Sequence, residues 1–216
     1  MEVLSTRPGD IERAARIVRA GGIVAFPTDT VYGLGCDPRN SRALSKVLSV
    51  KGTREKPLPI LVASEKLADR IAVMDSRARA LASRFWPGPL TIVLRPRVHF
   101  PRSLTMGRKT IAVRCPGNRT ALRLIRECGG FLTGTSANIA GHRPCTSARM
   151  VDHYLGDRVD AVVDGGRSPR RSSSTVVRVH SRGITMLRKG PIRDGQVRRT
   201  LQMVPPPRDR RQGIVR

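Results

Sequence analysis

Apolar residues in this chain recur with two periods that alternate along its length. Ile11, Ala14, Ala15 and Val18 fall on one face of a helix, with Asp10 as its cap and Gly21-Gly22 as its stop. Residues 23–26 then read as a short apolar strand. A polar, glycine-containing loop leads to a helix that Ser41 caps and that turns Leu44, Val47 and Leu48 inward, and residues 58–63 follow as a buried strand. Two helical patterns, one carrying Leu67 and Ile71 and the other Ala78, Leu81, Ala82 and Phe85, precede a strand over residues 90–94. The second half continues with a strand over 110–114, a helix over 118–128, a strand over 131–134 and a helix over 146–155. Strand-like runs at 159–163, 175–179 and 184–187 complete it. The rhythm is α/β, and strands that lack an intervening helix imply a mixed sheet. From Gln196 on the periodicity fades, and Pro205-Pro206-Pro207 with Arg208–Arg211 reads as a flexible basic tail. The expected organisation is one folded unit over residues 1–195 and a tail over 196–216, with no internal repeat.

Composition narrows the class. A chain of 216 residues with 39% hydrophobic content is large enough to bury its own core. Cys36, Cys115, Cys128 and Cys145 are far apart and form no C-x-x-C pair, and the four histidines are equally scattered, so no metal site is expected. No apolar run reaches the length of a membrane span and the first residues do not resemble a signal peptide, which together with free thiols points to the cytoplasm.

Charge changes the picture more. With 41 Lys or Arg against 16 Asp or Glu, the formal charge is +25. Such a surplus suits a polyanionic partner, either nucleic acid or a phosphorylated ligand. Only six of these cations are Lys, and Arg is also what a GC-rich genome places wherever a solvated cation suffices. Seven aromatic residues in the whole chain are too few for stacking platforms that read single strands.

Polar residues concentrate at strand ends and turns, where chemistry tends to lie. Pro27-Thr28-Asp29-Thr30-Val31-Tyr32-Gly33-Leu34-Gly35 places two hydroxyls, a carboxylate and a phenol before two glycines, and it is not a P-loop. Lys51-Gly52-Thr53-Arg54-Glu55-Lys56-Pro57-Leu58 is a cationic turn of the kind that suits a triphosphate. Thr110-Ile111-Ala112-Val113-Arg114 ends a buried strand on an Arg. Thr133-Gly134-Thr135-Ser136-Ala137-Asn138 and Ser172-Ser173-Ser174-Thr175 offer hydroxyl and amide donors, and Arg188 follows a further strand. Taken singly, each is equally compatible with an ordinary turn, a solvated face or a rim salt bridge.

Taken in order, the segments F-P-T-D-T-V-Y-G-L-G, K-G-x-x-E-K-P-L, W-P-G-P-L-T, T-I-A-V-R-C-P, T-S-A-N-x-x-G, S-S-T-V-V and L-R-K-G resemble the YrdC-type family of threonylcarbamoyl-AMP synthases over about residues 8–195. The resemblance implies one α/β domain, YrdC-like and akin to the YrdC/RibB-type fold, whose twisted, mostly open mixed sheet is flanked by helices around a cationic cavity. It implies a nucleotidyltransferase that joins L-threonine, bicarbonate and ATP, with Mg²⁺, into threonylcarbamoyl-AMP and pyrophosphate. A protein partner then transfers the threonylcarbamoyl group to an adenosine beside the tRNA anticodon. By the same resemblance, Thr28, Thr30, Tyr32, Arg114 and Ser174 would contact threonine. Lys51, Arg54, Thr110, Ser136, Asn138 and Arg188 would contact ATP, with Lys51 and Arg54 as the catalytic cations. No nucleophile elbow and no Cys/His pair is present, so catalysis by positioning is expected.

Two departures bear on those roles. The family's K-x-R-P pattern finds Thr53 where its Arg belongs, with Arg54 beside it in a loop one residue shorter, and residues 60–62 lack the His that some members carry. Two other readings stay open. One is carbamoyl-adenylate chemistry of the hydrogenase-maturation kind, which normally comes with zinc-finger and acylphosphatase regions that this chain lacks. The other is a non-catalytic module of the same fold that binds double-stranded RNA or tRNA through its cationic concave face.

Overall fold

Eleven strands and eight helices form among residues 1–52, 56–170, 172–180 and 183–204, the parts of the chain that a computed structural model describes. In chain order they are β1 (Glu2–Leu4), α1 (Pro8–Arg19), β2 (Val24–Phe26), β3 (Gly33–Gly35), α2 (Ser41–Lys51), β4 (Ile60–Val62), α3 (Glu65–Ile71), α4 (Ser76–Phe85) and β5 (Leu90–Leu94). Then come α5 (Arg102–Thr105), β6 (Ile111–Arg114), α6 (Arg119–Glu127), β7 (Phe131–Thr133), β8 (Thr135–Ser136), α7 (Ala148–Leu155), β9 (Ala161–Val163), β10 (Thr175–His180), β11 (Gly183–Arg188) and α8 (Asp194–Gln202).

The strands form two sheets rather than the one that the sequence suggests. Five align in the order β1-β9-β2-β3-β8 and six in the order β11-β10-β5-β6-β4-β7. Both are mixed: β5 pairs parallel with β10 and antiparallel with β6, while β4 pairs parallel with β6 and antiparallel with β7. The chain steps from one sheet to the other at Gly134, between β7 and β8. A Cβ at Gly134 would stand 2.3 Å from Leu61 Cγ, so only glycine lets the backbone pass there without displacing Leu61. Two backbone-directed bonds weld the junction, Thr133 N–H to Cys36 O at 2.9 Å and Cys36 N–H to Thr133 Oγ1 at 2.8 Å.

Helix ends explain where sequence and structure part. Helix α1 begins at Pro8, whose fixed φ suits the first helical position, and Asp10 is not its cap. Its carboxylate instead accepts from Ser5 N–H at 2.9 Å and from the Ser5 hydroxyl, which holds its pKa below the usual carboxylate range. The cap of α2 is Asn40, not Ser41, because the longer Asn side chain accepts from both Arg42 and Ala43 N–H. Strand β3 is hidden in the sequence by its composition. Gly33 and Gly35 leave the room that the Phe26 ring fills, since a Cβ at Gly35 would meet that ring at 2.7 Å.

The expected boundary at residue 195 falls inside α8. That helix buries Val197 completely and packs on α4, so the folded unit extends through it. Residues 205–216 of the expected tail lie outside the described residues.

Candidate functional site

At the junction of the two sheets a cavity of about 520 Å³ opens, within the range of small-molecule sites. Thr28, Thr30, Tyr32, Lys51, Arg114, Ser136, Asn138, Ser174 and Arg188 all line it. Six separate segments of sequence therefore converge on one surface. Thr110 does not line it. That residue precedes β6 at the end opposite Arg114, and four residues of strand span roughly 13 Å. Arg54 lies outside the described residues.

The floor is built on β6. Arg114, 6% exposed, donates Nε to Gly88 O at 3.0 Å, one terminal nitrogen to Thr30 Oγ1 at 3.1 Å and the other to Asp29 Oδ1 at 2.5 Å. A guanidinium has five N–H donors, so 5 − 3 leaves two for a ligand. Burial lowers the Arg114 pKa, and the Asp29 charge opposes that shift. Asp29 is thus more than a turn residue: it also takes Gly117 N–H at 2.9 Å and fixes the cation's orientation. The neighbouring hydroxyls are locked in turn, with Thr28 Oγ1 2.9 Å from Thr30 Oγ1 and donating to Val31 O at 2.7 Å.

Tyr32 is fully buried, and its phenol donates to Gly166 O at 2.7 Å while accepting Gly165 N–H at 3.3 Å. Burial pushes its pKa up to about 12, so it is a neutral donor and a structural pin at neutral pH.

Lys51 is not the exposed loop cation that the sequence suggests. It is the last residue of α2 and only 3% exposed. Its ammonium donates to Ser136 O at 2.7 Å, Asn138 O at 2.6 Å and Asn138 Oδ1 at 2.7 Å. Asn138 passes the constraint on, with Nδ2 donating to Ile139 O and His142 O and Oδ1 accepting from the Ser136 hydroxyl at 2.6 Å.

The opposite rim comes from β10 and β11. Arg188 donates to Ser174 O at 2.9 Å and Ser174 Oγ at 3.0 Å, and Ser174 Oγ lies 2.7 Å from Thr91 Oγ1. Solvent reaches the outer face of Arg188, yet the cavity wall desolvates its cation and Arg114 repels it, and both effects lower its pKa. Lys56 also lines the cavity, and among the described residues no carboxylate does. Four cations that face one cavity suit it to anionic groups.

Sequence reasoning missed Lys56, Thr91 and the role of Asp29. Lys56 and Thr91 sit in the quoted segments K-G-x-x-E-K-P-L and W-P-G-P-L-T, and Asp29 lies between the two threonines of the first loop. The position of each was therefore visible without its function. Among the described residues no group of three or more His, Cys, Asp or Glu could hold a metal.

The family model for Sua5, YciO and YrdC, described as telomere recombination, matches residues 16–190. The threonylcarbamoyl-AMP synthase of Halorhodospira halophila is 42% identical over 74% of this chain and 85% of its own length. The enzyme of that name in Bacillus subtilis is 38% identical over 90% of this chain, which spans 57% of that longer relative. In three dimensions, Pyrococcus abyssi Sua5 complexed with L-threonine superposes with a TM-score of 0.88 at 34% identity, covering 94% of this chain and 61% of its own. The chain belongs to the Sua5–YciO–YrdC family.

Proposed function

We propose that this protein is a threonylcarbamoyl-AMP synthase, a nucleotidyltransferase that consumes L-threonine, bicarbonate and ATP and supplies the threonylcarbamoyl group of modified tRNA. The observation that carries the reading is the convergence of Lys51, Lys56, Arg114 and Arg188 with hydroxyl-bearing residues that include Thr28, Thr30, Thr91, Ser136 and Ser174, on a cavity that no carboxylate lines among the described residues. A carboxylate and a triphosphate must share that space, and an anion relieves the repulsion between Arg114 and Arg188 that its absence leaves. The names of the relatives support the same activity.

In this reading the two remaining N–H groups of Arg114 grip the threonine carboxylate, with Thr28, Thr30, Tyr32 and Ser174 around the amino acid. Lys51, Ser136, Asn138 and Arg188 hold the nucleotide, and Arg54 adds a cation from the adjoining loop. The threonine amine attacks bicarbonate and water departs. The resulting carbamate oxygen then attacks the α-phosphorus, and the bond to pyrophosphate breaks. The protein positions the reactants and stabilises charge and forms no covalent intermediate of its own. Magnesium enters as the counter-ion of ATP, since among the described residues no carboxylate lines the cavity to hold it.

Among the described residues no helix is long and apolar enough to cross a membrane. In this reading the protein works in the cytoplasm beside a transferase partner that receives the adenylate. The non-catalytic RNA-binding alternative is not favoured, since the relatives carry the name of a synthase and nine of the expected site residues line one cavity. Incubating the protein with ATP, bicarbonate and isotopically labelled L-threonine should yield threonylcarbamoyl-AMP by mass spectrometry. Absence of the labelled adenylate, with the protein folded and ATP present, would refute the assignment.

A further inference from the structure

Residues 86–91 carry almost no part of the reading above, yet they make polar contacts on both sides of the cavity. The Trp86 indole N–H donates to Leu90 O at 2.7 Å, Gly88 O accepts from Arg114, and Pro89 O accepts from Thr175 N–H at 2.9 Å. The segment thereby joins the strand bearing Arg114 to the strand that follows Ser174. Its last residue, Thr91, is 3% exposed, lines the cavity and shares a hydrogen bond with Ser174.

Strand register gives Thr91 a second neighbour. β5 pairs with β6 so that Ile92 faces Val113, where the paired register ends; continued one step, the same register sets Thr91 opposite Arg114. Side chains directly opposed in an antiparallel pair stand on one face with Cβ atoms about 5 Å apart. Ile92 and Val113 fill the core, so strand alternation turns Thr91 and Arg114 together towards the cavity.

The protons on these hydroxyls can be counted. Arg188 has no acceptor, so Ser174 Oγ must accept from it. The bond between Thr91 and Ser174 consumes one of the two hydroxyl protons. Among the described residues no protein acceptor takes the other, so the pair presents one O–H to the cavity beside the two N–H groups that Arg114 keeps. The Arg188 cation polarises Ser174 and makes its O–H the stronger donor.

We propose that Thr91 is a positioning residue for substrate recognition: it donates to Ser174 Oγ, fills the remaining acceptor position there, and turns the Ser174 proton towards the α-carboxylate that Arg114 holds. The inference rests on the amino-acid site proposed above. It extends that site from a guanidinium clamp to a clamp of one guanidinium and one oriented hydroxyl.

Isothermal titration of L-threonine and, separately, of ATP into the wild type, Thr91→Val, Thr91→Ser and Ser174→Ala tests it, with thermal melts of each. Thr91→Val keeps the side-chain shape and should weaken threonine binding about tenfold, the scale of one hydrogen bond to a charged group, while ATP affinity is unchanged. Thr91→Ser should restore threonine binding, and adding Thr91→Val to Ser174→Ala should cost nothing further. Wild-type threonine affinity in Thr91→Val, or no rescue by Ser, would overturn the proposal. Parallel loss of threonine, ATP and melting temperature in Thr91→Val would overturn it in favour of a purely structural role. A wild type that binds ATP but no threonine would instead sink the underlying site assignment, and the proposal with it.

Discussion

Lys51 ends α2 with its ammonium enclosed by three oxygens of residues 136–138, so its removal strands polar groups as well as a charge. Lys51→Ala should therefore abolish pyrophosphate release and also destabilise the fold by about 3 kcal/mol, readable as a lower denaturant midpoint at unchanged slope. An inactive variant of wild-type stability would show that the three contacts do not support the fold. What was legible here was residue type. Thr28, Arg114, Ser136 and Ser174 are polar residues at strand ends, and their order along the chain marks a site. The burial of Lys51 was not legible, because a Lys at a helix C-terminus next to Gly52 has the local pattern of a solvated cation. Thr91 was equally hidden, being one polar position in a strand whose five residues are all buried.

Helix α8 shows the same limit for elements. Of its nine residues, Val197 is fully buried and Leu201 packs partly on the core, a spacing of one turn that the surrounding Arg, Gln and Thr obscure. Val197→Asp should cost about 3 kcal/mol or more, since it places a charge in an apolar contact without a partner. A chain ending at residue 195 should melt lower than the full chain by several degrees in a scanning calorimeter. Equal melting temperatures would show that α8 contributes nothing to the domain. Long periodic elements such as α4, β5 and α6 were legible within a residue or two. The division into two sheets was not, because it depends on the crossing at Gly134 and on contacts between Cys36 and Thr133, far apart in sequence.

Across the whole molecule, the four thiols describe how burial couples to pH. Burial pushes Cys36, Cys115 and Cys145 up to about 11 and Cys128 up to about 12, from an ordinary value of 9.0. Raised acids favour the neutral form in the folded state, so their contribution to stability is complete below about pH 9 and is lost as pH rises through 11 to 12. Urea midpoints should fall across that window, and labelling of Cys36, Cys115 and Cys145 at pH 8 should be slow until the protein is denatured; rapid labelling of these three native thiols would contradict their burial.

The charge of +25 is also a whole-molecule property, and among the described residues the cavity is lined by Lys51, Lys56, Arg114 and Arg188, four of the 41 cations in the chain. Net charge thus says that a polyanion is welcome, while the arrangement of a few buried donors says which chemistry is performed. The most direct measurement of that claim is pyrophosphate release with ATP, bicarbonate and each amino acid in turn, omitting one component at a time. Release should require L-threonine and bicarbonate together and should disappear in Arg114→Ala. Release that ignores either component, or no threonine-dependent release from folded protein, would contradict the account.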